Sequence, residues 1–203
     1  MTNNLTIKDG NSVSQVMQTT DNAGVHSPAH YLVTSGGASV EVEPTSNCLC
    51  TIDIQHAQVH KGNHFFVKSF AEITGASTTA EFLIKTGAKF PHARVIATSN
   101  AEFIIDIYEG TTVSADGTPV TVFNNDRNSA TTATVSLFTS PTITGDGTLL
   151  WRSKLGDSGN PAGSLQTSQE LIAKDNENYL LRITKVTSGT HYIDYDFFWY
   201  EVS

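Results

Sequence analysis

Apolar and polar side chains alternate with a period of two along most of this chain, the signature of strands with one buried face. From Glu102 to Glu109, Phe103, Ile105 and Ile107 fall on one side, and Glu102, Asp106 and Tyr108 mostly on the other. Asp116-Gly117 then reads as a tight turn, and Val120, Val122 and Phe123 resume the pattern, which predicts a β-hairpin over this stretch. Further strands are expected at Ser39 to Glu43, Thr51 to Ala57, Phe65 to Ile73, Thr79 to Lys85, Arg94 to Thr98, Ala133 to Thr139, Thr148 to Arg152, Glu170 to Ala173 and Tyr179 to Val186. The last strand, His191 to Glu201, carries aromatics on both faces: Ile193, Tyr195, Phe197 and Trp199 on one, Tyr192, Phe198 and Tyr200 on the other. One face must be core, which leaves the other for a covering loop or a partner.

Short strands separated by Gly, Asn, Asp and Pro, with no convincing helical period, predict an all-β protein: an antiparallel β-sandwich of jelly-roll or related topology. Residues 1–35 read differently. They are polar, with a short hairpin candidate (Leu5 to Ile7 against Val13 to Met17) and an extended VHSPAHYLV segment in which Pro28 keeps Ser27 out of helix. The expected organisation is an N-terminal arm over 1–35 and a sandwich domain over 36–203. The arm offers Val25, His26, Pro28, His30 and Tyr31 as partner contacts, and the last strand offers Tyr195 and Trp199. The longest Gly- and Ser-rich gap, Leu155 to Thr167, is expected as a surface loop.

Three stretches, IYEGTTVSADGTPVTVFNNDRNS, TIKDGNSVSQVMQTTDNAGVHSPAHYLV and ENYLLRITKVTSGTHYIDYDFFWYE, resemble a group of small β-rich virion proteins of tailed bacteriophages. The resemblance implies a structural protein of the virion, in first place a capsid decoration or cement protein. Its implied partners are the major capsid protein and copies of itself, with a trimer favoured over a dimer. The implied location is the phage head surface, after assembly in the cytoplasm of the host bacterium. The alternative from a different class is a head- or tail-fibre module that binds a receptor glycan, for which Trp151, Tyr195, Trp199 and Tyr200 would be the stacking aromatics.

Composition narrows the chemistry. A net charge of -8 with no basic run argues against nucleic acid as a partner. No apolar stretch reaches membrane-spanning length, and the first residues lack the charged start and apolar core of a secretory signal. Cys48 and Cys50, with one residue between them, lack the spacing of a zinc or redox pair and are expected as buried free thiols. His56, His60 and His64 recur every four residues, but TIDIQHAQV reads as strand and Gly62-Asn63 as turn, so the three rings are not expected to converge on a metal. Glu102, Asp106, Asp194 and Asp196 are expected on a solvent face rather than in a two-carboxylate cleft. Asp116, Asp126 and Asp146 sit in turns without calcium-loop spacing, and no nucleophile elbow or nucleotide loop is present. The expectation is a protein with no catalytic, cofactor or metal residues, and not an enzyme.

Overall fold

The computed structural model describes residues 4–8, 14–22, 25–28, 53–75, 78–156, 163–166 and 170–202. The chain divides into two units, Met1–Ile52 and Asp53–Ser203. In the first, β1 (Asn4–Lys8), β2 (Ser14–Asn22) and β3 (Val25–Pro28) form an antiparallel sheet in the order β1-β2-β3. The hairpin expected at its start is there, with Leu5 opposite Met17 and Ile7 opposite Gln15. The boundary expected near residue 35, the strand Ser39 to Glu43, and Cys48 and Cys50 lie outside the described residues.

The second unit opens with a short helix, α1 (Ile54–His60), followed by β4 (His64–Thr74), β5 (Thr79–Lys85), β6 (Phe90–Ser99) and β7 (Phe103–Glu109). A run of short strands follows: β8 (Thr112–Ala115), β9 (Thr118–Val120), β10 (Phe123–Asn124), β11 (Ser136–Thr139) and β12 (Thr142–Gly145). It closes with β13 (Thr148–Leu155), β14 (Gly163–Gln166), β15 (Leu171–Ile172), β16 (Asn178–Lys185) and β17 (Thr190–Val202). One sheet has the order β10-β4-β17-β6-β14, with β15 also on β6, and the other has β13-β7-β16-β5-β11-β9. Take the eight long-path strands β4, β5, β6, β7, β13, β14, β16 and β17 as first to eighth. One sheet then reads first, eighth, third, sixth, and the other second, seventh, fourth, fifth, all antiparallel. This is the strand order of a jelly roll, within the expected antiparallel sandwich of jelly-roll or related topology; the order itself was not legible in the sequence.

The period-two pattern places the core between the sheets. Phe65 and Val67 of β4, Ala93, Val95 and Ala97 of β6, and Ile193, Tyr195, Phe197 and Trp199 of β17 face Phe82 and Ile84 of β5, Phe103 and Ile105 of β7, and Tyr179, Leu181 and Ile183 of β16. Small side chains on β6 leave room for the large ones of its neighbour β17. Phe82 and Tyr195 meet across the gap with ring centroids 4.4 Å apart, and Trp199 packs on Phe197 at 5.0 Å. Burial on this scale, not propensity, holds the strands in register, because a one-residue slip would turn every one of these side chains outward.

Four sequence expectations are corrected here. The strand expected over Thr51 to Ala57 is replaced, over its described residues 53–57, by the start of a helix: Asp53 caps α1 by accepting from the Gln55 amide at 2.7 Å, and the helix ends in paired bonds, Gly62 N–H to Val59 and Asn63 N–H to Gln58. Gly62 supplies the left-handed φ of +69° that this stop requires. The hairpin expected from 102 to 123 does not form either. β7 lies between β13 and β16, and the turn at Asp116-Gly117 sends β8 to β12 and β9 to β11. Gly117 has φ of +95°, and a Cβ there would sit 2.2 Å from the Thr139 carbonyl oxygen, so the turn suits only glycine. The gap from Leu155 to Thr167 contains β14, paired to β6. Finally, Glu102 and Asp106 are buried rather than on a solvent face, joined to Lys154 and Arg152.

Candidate functional site

The two outer faces of the sandwich differ in chemistry. On the β5-β16-β7-β13 sheet, Arg152 grips Asp106 through Nε and Nη2 at 2.6 and 2.8 Å. Arg182 holds Asp146 through two bonds at 2.6 and 2.7 Å while its Nε donates to Glu81 at 2.7 Å. Lys85 reaches Asp116 at 2.8 Å. Asp116 and Asp146 belong to the segment between β7 and β13, so these pairs fasten that segment to the sheet. Leu83 and Leu180, which alternate with the core side chains, are fully buried on this outer side. Planar two-bond arginine contacts fix geometry as well as charge, so this face is closed by the chain itself.

The outer face of the β4-β17-β6 sheet is aromatic and falls into two zones. At one end, register places His64 opposite Tyr200 and Tyr200 opposite His92, so the three rings line up across three strands. Tyr200 stacks on His92 at 4.6 Å and lies 6.4 Å from His64. Glu170, just ahead of β15, accepts from His92 Nδ1 at 3.0 Å, from the Tyr200 hydroxyl at 3.0 Å and from Gln55 of α1 at 3.4 Å. The Asn125 amide donates to His64 Nδ1 at 2.8 Å. Burial lowers the His64 pKa, against the pull of the Glu170 charge. At Glu170 burial pushes the carboxyl up, but the bonds from His92, Tyr200 and Gln55 outweigh it and hold the group below its ordinary value. Burial, aided by the Glu170 carboxylate, pushes the Tyr200 hydroxyl up to about 12. This zone is a clamp that ties α1, β15 and the sheet together. The partners of its imidazoles are the Asn125 side-chain amide and the Glu170 carboxylate.

The second zone is open. Phe70 and Tyr192 stack at 5.1 Å with an 18° interplanar angle while remaining 58% and 40% exposed. Phe123, also exposed, packs on Phe66 at 5.7 Å and carries the Arg127 guanidinium over its ring at 5.2 Å. Between them lie Phe198, Lys68 and Asp196, the last two paired at 3.2 Å. Arg94 Nε and Asp196 Oδ1 are buried and have no hydrogen-bond partner, an unusual state for polar atoms within a sheet face.

The residues named from sequence scatter. Tyr195 and Trp199, expected as partner contacts, are core side chains at 3% and 0% exposure, because β17 turns that face inward. Tyr200 is equally buried and Trp151 is half-buried against the core, so the aromatics offered for a glycan do not form an open platform. Val25, His26 and Pro28 lie on or end β3, and their side chains, together with His30 and Tyr31, lie outside the described residues. His56 and His60 come together on α1, contrary to the strand reading, and His64 stands apart from them in the clamp. The surface aromatics that do face outward, Phe70 and Tyr192, were on neither roster. The alternation of β17 put Tyr192 on the face opposite Tyr195, and only the choice of which face is core decides between them.

An apolar cavity of about 60 Å³ lies between the sheets, lined by Ile84, Val95, Leu181 and Phe197 among others. That is a packing void and not room for a substrate. Among the described residues no group of three or more His, Cys, Asp or Glu side chains could hold a metal, and no helix is long and apolar enough to cross a membrane. No family model matches the chain, and no curated protein matches it.

Proposed function

We propose that this is a non-enzymatic structural protein of a tailed-phage virion, a capsid decoration protein that binds the major capsid protein on the head surface and associates with copies of itself. The observation that carries the reading is the contrast between the two sheet faces. One is closed by ion pairs and by the chain's own inserted segment; the other leaves Phe70, Tyr192 and Phe123 exposed to water. Exposed aromatic clusters of this kind mark association surfaces. The jelly-roll order supports the reading by analogy, since double-sheet jelly rolls recur in viral shells, although the same architecture also serves lectins. The acidic balance suits an outward position away from packaged nucleic acid. A self-associated trimer is the favoured form, because threefold positions are abundant in such shells.

A glycan-binding fibre module is the second reading, and the stacked Phe70–Tyr192 pair is what favours it. Copy number separates the two. Densitometry of purified particles against the major capsid protein should give hundreds of copies per virion for a decoration protein and tens or fewer for a fibre. Phe70→Ala with Tyr192→Ala should leave the fold intact, since both side chains lie on the exposed face outside the core, yet abolish incorporation into particles and self-association by light scattering. Normal decoration by the double variant, or absence of the parent protein from particles, would refute the proposal.

A further inference from the structure

We infer that His56 and His60 form a surface chelate for a divalent transition-metal ion of the copper or nickel type. The two residues are one helical turn apart on α1, where i and i+4 side chains share a face. Both are exposed, and their Nε2 atoms approach to 2.8 Å while their ring centroids stay 4.7 Å apart at a 53° tilt. The rings therefore meet at their nitrogen tips, not by stacking, which leaves both Nε2 atoms within reach of one ion arriving from solvent. In the metal-free protein one Nε2–H donates to the other Nε2.

The spacing suits one class of ion. Imidazole nitrogens bind such metals at about 2.0–2.1 Å, so two of them held 2.8 Å apart subtend an angle close to 90° at a shared ion. That is the cis angle of a tetragonal or square-planar site, the preference of Cu(II) and Ni(II), and is narrower than the tetrahedral angle of structural zinc. On binding, two waters of the hydrated ion are replaced by the two nitrogens. The proton on the donor ring leaves Nε2 and one is taken up at Nδ1 through solvent, which frees both Nε2 lone pairs for the ion. Water keeps the remaining positions, because no third ligating side chain groups with this pair among the described residues. The helix backbone is set by its Asp53 cap and its Gly62 stop rather than by the histidines, so the chelate is organised before the metal arrives.

The test uses the full chain, stripped with chelator and titrated with Cu(II) alone near neutral pH, read by calorimetry and by electron paramagnetic resonance. The expected result is an axial copper signal with coupling to two nitrogens. His56→Gln and His60→Gln should each weaken that site by roughly tenfold or more, since either leaves a single imidazole. The His26→Gln, His30→Gln double variant and His191→Gln should retain it. Both test positions are exposed, and unchanged circular dichroism will show that each variant is folded. Copper that binds as tightly to His56→Gln or His60→Gln as to the parent overturns the inference, as does loss of the two-nitrogen signal in the His26, His30 variant. A parent protein that shows no two-nitrogen signal overturns it as well.

Discussion

Glu201 offers the sharpest test of how this sandwich is held together. Its carboxylate, 1% exposed at the end of β17, accepts four kinds of donor: the Thr134 amide at 2.8 Å, the Thr134 hydroxyl at 2.9 Å, the Val135 amide at 3.1 Å and the Trp199 indole at 3.1 Å. It thereby fixes the segment leading into β11 against the last strand. Glu201→Ala leaves these donors behind. Thr134 is half-buried and can turn to water, but the Val135 amide and the Trp199 indole are enclosed, and each orphaned buried donor costs about 1–3 kcal/mol. Relief from burying the charge offsets part of that, so the expected loss is about 3 kcal/mol. Glu201→Gln keeps one carbonyl acceptor and should lose about half as much. Both tryptophans, Trp151 and Trp199, lie in the second unit, so urea unfolding followed by tryptophan fluorescence reports on the sandwich without interference from residues 1–52. If Glu201→Ala loses less than about 1 kcal/mol, or less than Glu201→Gln, the carboxylate is not the tie described.

Acid should loosen the clamp through His64. Its pKa is lowered in the fold, so the unfolded chain takes the proton more readily; this contribution to stability is whole above the unfolded value of about 6.5 and is lost as pH falls through it toward the folded one. Glu170, the carboxylate facing it, is also lowered, and adds its own loss only at more acid pH, as that group is protonated in turn. The urea midpoint should therefore drop between about pH 8 and pH 5.5, and drop less in His64→Gln, which keeps an acceptor for Asn125; equal drops in the two proteins would remove His64 as the cause. Gly117→Ala should cost about 2 kcal/mol by the strain of a positive φ and the clash with the Thr139 carbonyl, and a melting temperature equal to the parent's would contradict the turn described.

Periodicity alone located most of the sandwich, because a strand buried on one face must alternate and this chain does so almost everywhere from Phe65 onward. It gave the class, most strand positions and, with them, the composition of each strand's two faces. Which of the two faces was core could not be read on β17, where aromatics stand on both. Tyr195 and Trp199 look as available as Tyr192 until Phe82 of the opposite sheet is seen against Tyr195. Partner choice was equally hidden: Asp116-Gly117 specifies a turn from local chemistry, but nothing local says that the strands on either side pair with β12 and β11 instead of each other. Glu102 and Asp106 read as solvent-facing because their counter-charges, Lys154 and Arg152, lie on a strand more than forty residues away. The helix at Ile54 was not legible: TIDIQHAQV alternates like a strand, and Gly62-Asn63 reads as a turn between strands although Gly62 ends the helix. Tertiary contact decided it, since α1 docks by its buried Gln58 and by Gln55 on Glu170 rather than by an apolar stripe that a sequence could show.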